Sequence, residues 1–322
     1  MSKTDFNKLL KALPNYGGTM EVNGKEASYS FLELSRPTGK YVARFFIRLV
    51  NIFMEKHFFR YIGNSCTPAI VMSNIDKKAG IQQFGTSKRN CGLIITNVFG
   101  TEPVSDGIVI PADPFMIIHI RKSWKSFEDY KSAMSSKYRI RTNRVYTLSE
   151  SVSKRNLNDE GLEKWIPKCA ELLFDTLKNK TITIGRDLNL VLRTFHEVLE
   201  ENYQVNGYFK GDTLIGFISF VKDENNIFAL HLGYDIANGT QLHLYQRMMY
   251  DLIDYCIEYK IESLNLGRTA PEIKSTMGAI PVDNSFVFFS RKRISSHILN
   301  YYKNNYHKEL EYTLRHPFKN GE

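Results

Sequence analysis

Residues that could carry chemistry lie in the second half of the chain, first in the sequence HLGYD at 231–235. A glycine within a strand marks a bulge or a close backbone approach. Gly233 therefore predicts a bulge that frees a backbone N–H for a developing oxyanion. His231 and Asp235 are candidate general bases, and Tyr234 is a candidate proton donor to a leaving group. The alternative is structural: a core histidine, a packing tyrosine and a turn aspartate.

A second group follows at the end of the next predicted strand, in LGRT at 266–269, and in EIKSTMG at 272–278. Open α/β sheets bind ligands at the carboxyl ends of parallel strands, and paired cations suit phosphate or carboxylate. Arg268 and Lys274 are thus candidates for holding anionic parts of a substrate, and Glu272 is a third candidate base. We expect Lys274 to be exposed. A solvated loop is the alternative interpretation.

Composition limits the classes of protein. The 322 residues are enough for two domains, and the net charge of +9 favours a phosphorylated, nucleic-acid or anionic-membrane partner. The four cysteines form no CxxC pair, the start has no apolar secretory segment, and no apolar run reaches 18 residues. These features predict a cytoplasmic protein. The sequence contains no nucleotide-binding glycine motif, no GxSxG and no HExxH. The histidines are dispersed, so no metal site is predicted.

Much of the positive charge lies in one stretch, 117–155. It contains ten Lys and Arg against three acidic residues, a net charge of +7. We interpret it as a basic seam between two lobes, with Arg139, Arg141 and Arg144 binding an anionic substrate. A solvated helix face is the alternative.

An apolar helix is predicted at 41–62, with an aromatic arc opposite a narrow polar stripe that includes Arg44 and Arg48. Such a helix is either buried in its own lobe or at a dimer interface, or it lies in the headgroup region of an anionic membrane. The arginines exclude a membrane span.

The predicted order of the second half is β-β-β-α-β-α-β. Three antiparallel strands precede a long amphipathic helix, and the fourth strand follows a helical crossover, which makes it parallel to its neighbour. The predicted ranges are strands 204–210, 214–221, 227–235, 261–266 and 286–291 and helices 241–260 and 272–277. Earlier strands are predicted at 68–72, 92–96, 107–111 and 115–120, before a helix at 127–137.

This order resembles the GNAT acyltransferase fold, and the run from YFKGDTLIGFISF through HLGYD to NLGRTAPEIKSTMGA resembles its Fem-type branch of peptidoglycan aminoacyltransferase-like proteins. The segment YKSAMSSKYRIRTNR at 130–144 is similar to the basic segment near the junction of that branch's two lobes. The resemblance implies an α/β (α+β) protein with mixed, mostly antiparallel sheets and flanking helices. It implies an N-terminal GNAT-like lobe at 1–130 and a C-terminal acyltransferase domain at 131–322. It also implies a functional role for Lys274.

One motif of the superfamily is missing. Coenzyme A-binding members carry Q/R-x-x-G-x-G/A before the long helix, whereas this chain has IANGTQ at 236–241. Gly233, Asn238, Gly239 and Thr240 are the candidate donor-binding residues, because a helix N-terminus can hold pyrophosphate.

The resemblance implies an N-acyltransferase that needs no covalent intermediate and no permanently bound cofactor. The donor would be acyl-CoA or acyl carrier protein, and the acceptor an amino group of an amino acid, an amino lipid or a cell-envelope precursor. Two alternatives are an aminoacyl-tRNA-dependent transferase and a non-catalytic binding protein. Partners would then include the inner face of the membrane, tRNA or a second copy of the chain.

Overall fold

The computed structural model describes part of the chain. The described residues are 8–9, 11–13, 16–22, 25–31, 34–35, 60–62, 92–99, 108–177, 183–184, 187–290, 297, 300 and 311–319. The predicted helix at 41–62 lies outside these residues except for Arg60–Ile62, which form a strand, so that end of the prediction is wrong. The predicted strand at 68–72 lies outside them entirely.

The described elements begin with six strands, and helices and strands follow in the rest of the chain. The strands are β1 (Tyr16–Val22), β2 (Lys25–Phe31), β3 (Leu34–Ser35), β4 (Arg60–Ile62), β5 (Gly92–Phe99), β6 (Ile108–His119), β7 (Val152–Asn156), β8 (Thr183–Ile184), β9 (Tyr203–Lys210), β10 (Thr213–Asp223), β11 (Asn226–Tyr234), β12 (Ser263–Asn265) and β13 (Ile280–Ser290). The helices are α1 (Phe127–Ala133), α2 (Ser136–Leu148), α3 (Ile166–Leu177), α4 (Leu188–Leu199), α5 (Ile236–Gln241), α6 (Leu244–Glu258) and α7 (Pro271–Ser275).

Eleven strands form one mixed sheet in the order β1-β2-β4-β5-β13-β6-β12-β11-β10-β9-β7, and β3 pairs with β8 separately. Two neighbouring pairs, β4 with β5 and β11 with β12, are parallel, and the other pairs are antiparallel. The prediction of a mixed, mostly antiparallel sheet with flanking helices is therefore confirmed. The division into lobes at residue 130 stays a prediction.

The three-stranded unit β9-β10-β11 forms through two tight turns. Gly211 has a φ of 61° and Glu224 a φ of 53°, so each turn contains a residue in the left-handed region. Both neighbouring pairs are antiparallel. After β11 the chain passes through α5 and α6 before returning as β12, which is parallel to β11 as predicted.

Two hydrophobic cores lie among these elements. The first includes apolar residues of α1, α2 and α6, such as Tyr130, Val145 and Met248. The second includes residues of α3 and α4, such as Leu173 and Phe195. Strands β9, β10 and β11 contribute to the burial of both, since successive side chains of a strand point to opposite faces.

Several predicted boundaries are wrong, and the strand predicted at 286–291 begins six residues earlier, at Ile280. The strands predicted at 107–111 and 115–120 are one strand, β6, because β13 pairs with it on both sides of a register shift. The helix predicted at 127–137 is divided at Met134, whose extended backbone separates α1 from α2. The helix predicted at 241–260 begins at Leu244, because His243 has a φ of 50° and interrupts the helical backbone after α5, which ends at Gln241.

Among the helices of the described part of the chain, none has both the length and the apolar character needed to cross a bilayer.

Candidate active site

Several of the predicted residues follow the point where β11 and β12 separate. The two parallel strands are paired at three positions, the last being Phe228 with Asn265. β11 continues to Tyr234, whereas β12 ends at Asn265 and the chain turns at Gly267, which has a φ of 76°. The last six residues of β11 therefore extend past the paired part of β12.

A register shift accompanies this separation, but it is not at Gly233. Ile218 of β10 pairs with Leu232, and Phe220 pairs with Ala229, so the extra residue lies between them in β11. The prediction of a bulge at Gly233 is wrong. The shift changes which side chains face which core: Ile227 and Ala229 belong to the first core before it, whereas Leu232 and Tyr234 pack against that core after it.

Gly233 is instead a position of close approach between β11 and α3. A Cβ atom at Gly233 would lie 2.6 Å from the carbonyl carbon of Leu172 and 2.8 Å from Cα of Leu173. The next residue is tied to the same helix, since the backbone N–H of Tyr234 donates to Oγ1 of Thr176 at 3.3 Å. Gly233 thus allows α3 to pack directly on the strand.

His231 lies on the α3 and α4 side of the sheet. Its ring makes an edge contact with Phe195, with centroids 5.2 Å apart, and Nδ1 lies 3.3 Å from Oγ of Ser219. The His231 backbone N–H also donates to Ser219 Oγ at 3.1 Å. The side chain is buried. These contacts suit a structural role, and its role as a base stays a prediction.

Asp235 caps α5. Its Oδ1 accepts from the backbone N–H of Asn238 at 2.8 Å and from Nδ2 of the same residue at 3.2 Å. The N–H of Gly239 donates to the Asp235 carbonyl at 2.7 Å, and the Thr240 hydroxyl donates to the Ile236 carbonyl at 2.9 Å. These predicted donor-binding groups therefore bond within α5.

Gly239 also has a packing role beside the predicted proton donor. A Cβ atom at Gly239 would lie 2.7 Å from Cε2 of Tyr234, so the missing side chain makes room for that ring. Tyr234 is half-buried and packs against the first core. The structure brings Tyr234 and Gly239 together, while His231 lies in the other core.

Lys274 is the most unusual residue of the site. The expectation that it is exposed is wrong, because its relative exposure is 1%. Within the described residues its side-chain amine has no hydrogen-bond or ion-pair partner, and burial alone lowers the pKa of its ammonium group to about 7. Charged lysine is rarely buried without a partner, because desolvation disfavours the ammonium form. Such a residue is a strong candidate for function.

Lys274 is in α7, a five-residue helix that packs against β6. The turn after α7 is held by the Tyr130 hydroxyl, which donates to the Met277 carbonyl at 2.9 Å. The Asp235 carboxylate bonds to Asn238, and the Lys274 amine has no partner, so the two predicted side chains share no hydrogen bond in the described structure. Arg268, at the end of β12, is half-buried.

A cleft of about 500 Å³ lies between α2, the start of α6, and α7. We call it the cationic cleft. Its charged and titratable lining residues are Lys137, Arg141, Arg144, His243, Glu272 and Arg315. Glu272 pairs with Arg315, which leaves Lys137, Arg141 and Arg144 without an acidic partner among the described residues. The cleft therefore has a surplus of positive charge.

The predicted basic seam is divided by this geometry. Arg141 and Arg144 line the cationic cleft, whereas Arg139 does not. The cause is helical geometry, because positions three apart share a helix face and Arg139 lies outside that face of α2. The structure thus brings Arg141, Arg144 and Glu272 to one cleft.

A buried ion pair holds the walls of the cleft together. Arg247 of α6 donates from Nε to both carboxylate oxygens of Asp251, at 3.0 and 3.1 Å, and from Nη1 to Oγ of Ser149 at 2.9 Å. Tyr146 of α2 donates to Oδ1 of Asp251 at 2.9 Å. Because several polar groups satisfy each other, the network fixes α2 relative to α6.

The cleft is also lined by residues that no sequence pattern singles out as functional, among them His243, Tyr250 and Arg315. His243 lies at the junction of α5 and α6, which were predicted as one helix. Arg315 comes from the last residues of the chain, for which no element was predicted. No local pattern places that segment beside α7, because the contact spans about forty residues of sequence.

Comparison with solved structures identifies the fold. The C-terminal domain of a protein assigned as lysylphosphatidylglycerol synthetase from Agrobacterium fabrum is 7% identical, with a TM-score of 0.56, and the alignment covers 94% of this chain and 91% of that chain. FemX is 9% identical, with a TM-score of 0.53 and coverage of 93% and 98%. L-PGS from Bacillus licheniformis is 9% identical, with a TM-score of 0.54 and coverage of 90% and 89%.

These likenesses confirm the predicted Fem-type fold, which this chain shares with FemX and the other two structures. No protein-family model matches this sequence, and no curated protein matches it either.

Proposed function

We propose that the protein transfers an acyl or aminoacyl group to an amine, by direct attack of the amine on the donor carbonyl. The observation that carries the proposal is Lys274, which is buried, has no partner among the described residues and lies in the helix that borders the cationic cleft. A fold shared with FemX and with lysylphosphatidylglycerol synthetase domains supports the same class of reaction. Because fold alone does not determine function, the site carries the argument.

Lys274 acts in this proposal first as a base and then as an acid. The acceptor nitrogen attacks the carbonyl carbon, and neutral Lys274 takes the proton that the nitrogen loses. The bond from carbon to the leaving oxygen or sulfur then breaks, and the Lys274 ammonium returns the proton to that atom. A base with a pKa of about 7 suits this role, since general catalysts work best when their pKa lies near the operating pH.

The cationic cleft binds the anionic part of a substrate. Lys137, Arg141 and Arg144 supply positive charge, and arginine can bind phosphate with two parallel hydrogen bonds. Binding two substrates side by side supplies much of the rate of such a reaction. The other predicted residues have secondary roles: Asp235 positions α5, Arg268 binds anionic substrate parts, and Tyr234 is a second proton donor to the leaving group.

The donor can be a thioester, of coenzyme A or acyl carrier protein, or an aminoacyl ester of tRNA. Two features favour the aminoacyl ester. The donor-binding glycine motif is missing, and the Asn238 and Gly239 N–H groups are already bonded within α5. In addition, one similar structure is assigned to a synthetase of lysylphosphatidylglycerol, an aminoacylated lipid. We further propose that the acceptor amine belongs to an amino acid, an amino lipid or an envelope precursor.

The test is a panel of donors and acceptors followed by mass spectrometry of the products. Purified protein is incubated with acetyl-CoA, a long-chain acyl-CoA, acyl carrier protein thioester and mixed aminoacyl-tRNAs, each with amino acids and phosphatidylethanolamine as acceptors. We expect an amide product with one donor class, and its loss in Lys274→Ala. A product that forms equally well with Lys274→Ala would overturn the assigned role, and no product from any pair would count against transfer.

A further inference from the structure

The C-terminal residues 311–319 are docked against the site. The Ser135 N–H donates to the Pro317 carbonyl at 2.9 Å, and the Lys319 N–H donates to the Ala133 carbonyl at 3.1 Å. These bonds surround an isolated bridge between Met134 and Phe318. The segment, here called the C-terminal strap, thus satisfies backbone groups left open by the break between α1 and α2.

Phe318 anchors the strap over the turn that follows α7. Gly278 has a φ of 92°, and a Cβ atom there would lie 2.6 Å from Cζ of Phe318, so the ring fills the space of the missing side chain. The Arg121 guanidinium lies over the Phe318 ring, 4.5 Å from its centroid. Trp124 contacts the same ring, with centroids 5.3 Å apart.

Arg315 connects the strap to α7 itself. Its backbone N–H donates to Oγ of Ser275 at 3.0 Å, and its Nε donates to Oε1 of Glu272 at 3.1 Å. Ser275 is buried, so its hydroxyl contact is shielded from water. Glu272 and Ser275 lie on either side of Lys274 in the sequence, and Gly278 follows it in the next turn.

α7 needs such external contacts. A helix of five residues has little stability of its own, since the first turn is costly to form. Its N-cap is Ala270, which has a φ of 54° and provides no side-chain hydrogen bond. The position of Lys274 therefore depends on groups outside the helix.

We propose that the C-terminal strap positions Lys274, with Arg315 as the positioning residue and Phe318 as its anchor. The strap holds α7 at Glu272 and Ser275 and the following turn at Gly278, which keeps the Lys274 amine in the interior. The consequence for group transfer rests on the proposed function, whereas the effect on Lys274 itself does not.

The test measures how fast each lysine is acetylated by an N-hydroxysuccinimide ester, read by peptide mass spectrometry. Lys122 is exposed and serves as the internal reference. In the full-length protein Lys274 should react slowly relative to Lys122. Arg315→Ala should raise the relative rate at Lys274 roughly tenfold, because local opening exposes the amine. Arg315→Lys should give a rate close to that of the wild type, since it can still pair with Glu272.

His316→Ala is the matched control, because His316 is the exposed neighbour of Arg315 in the same strap. It should leave the rate at Lys274 unchanged. Glu272→Gln removes the same ion pair from the other side, and it decides the question if Arg315→Ala fails to fold. A wild-type rate at Lys274 in both Arg315→Ala and Glu272→Gln would overturn the proposal. Faster labelling of every lysine would do so too, because the strap would then stabilise the whole fold.

Activity provides a second readout. If a transfer reaction is found, Arg315→Ala should lower kcat by about tenfold with KM nearly unchanged, and Arg315→Lys should restore most of it. An equal decrease of kcat in Arg315→Ala and in His316→Ala would contradict a specific role for Arg315. If the wild-type protein transfers nothing, the proposed function fails, and the labelling rates still decide whether the strap positions Lys274.

Discussion

The hydroxyl of Tyr130 donates a hydrogen bond of 2.9 Å to the carbonyl of Met277, joining α1 to the turn after α7 across 147 residues of sequence. Both residues are fully buried. The bond therefore links α1 to the turn that follows Lys274. Because both groups are buried, water cannot take the place of the Tyr130 hydroxyl.

Tyr130→Phe should lower the free energy of unfolding by about 1–3 kcal/mol, because the Met277 carbonyl would be left buried without a donor. Urea denaturation measures the change. Tyr259→Phe is the control, since Tyr259 is 54% exposed and water can replace its hydroxyl contacts. Equal midpoints for Tyr130→Phe and the wild type would contradict a contribution from this bond.

Lys274→Met should stabilise the protein near neutral pH. The folded state lowers the Lys274 pKa from 10.5 to about 7, so the unfolded chain binds more protons between these two values. Wild-type stability then rises with pH across this range, and the deficit relative to Lys274→Met reaches at most about 4–5 kcal/mol below pH 7. Denaturation of both proteins from about pH 6 to about pH 10 measures the difference. A difference independent of pH would exclude a buried, titrating amine.

The rate of transfer should depend on the same titration. If neutral Lys274 is the base, kcat/KM should fall about tenfold per pH unit below an apparent pKa of about 7 and level off above it. Lys274→Ala should lose this dependence along with most of the activity. Added methylamine should restore part of the rate, with a pH profile set by the added amine. A quaternary ammonium ion cannot accept a proton, so restoration of the rate by such an ion would show that Lys274 contributes positive charge and does not act as a base.

Arg141→Glu with Arg144→Glu should weaken the binding of inorganic triphosphate and flatten its salt dependence. Calorimetry at low and moderate salt measures both. Arg139→Glu is a matched control, because it makes the same change of charge on the same helix but lies outside the cleft. Equal weakening by Arg139→Glu would show that the general field of α2, and not the cleft, attracts the anion.

Gly233→Ala should lower the free energy of unfolding by about 1–3 kcal/mol, because the added methyl group would meet the backbone of α3 at Leu172 and Leu173. Gly211→Asn is the control: no atom lies within 4 Å of a Cβ atom there, and asparagine tolerates the positive φ of that turn. Thermal denaturation compares them. A larger loss in Gly211→Asn would mean that turn conformation matters more than this packing.

The sequence predicts elements well where local signals agree. The strands β9, β10 and β11 are separated by turns at Gly211 and at Asp223–Asn226, which the sequence marks. The helical crossover through α6 makes β12 parallel to β11. The sequence predicts less where a contact with a residue distant in the chain determines the local conformation. Gly233 indicates a bulge or a close approach, and the backbone of α3, remote in sequence, selects the second.

The same limit applies to the site. Arg141 and Lys274 are found by residue type and position, but burial of Lys274 depends on tertiary packing around α7, which no local pattern contains. Arg315 is missed because the strap has no periodic pattern, and its partners Glu272 and Ser275 lie about forty residues earlier.

The place of β6 in the sheet has a consequence for how the chain folds during synthesis. β6 lies between β12 and β13, which follow it by more than 140 residues, so its edges find their partners late. Until then the strand presents open hydrogen-bonding groups to other chains. We expect slow folding that requires nearly the whole chain, and a tendency of fragments to aggregate.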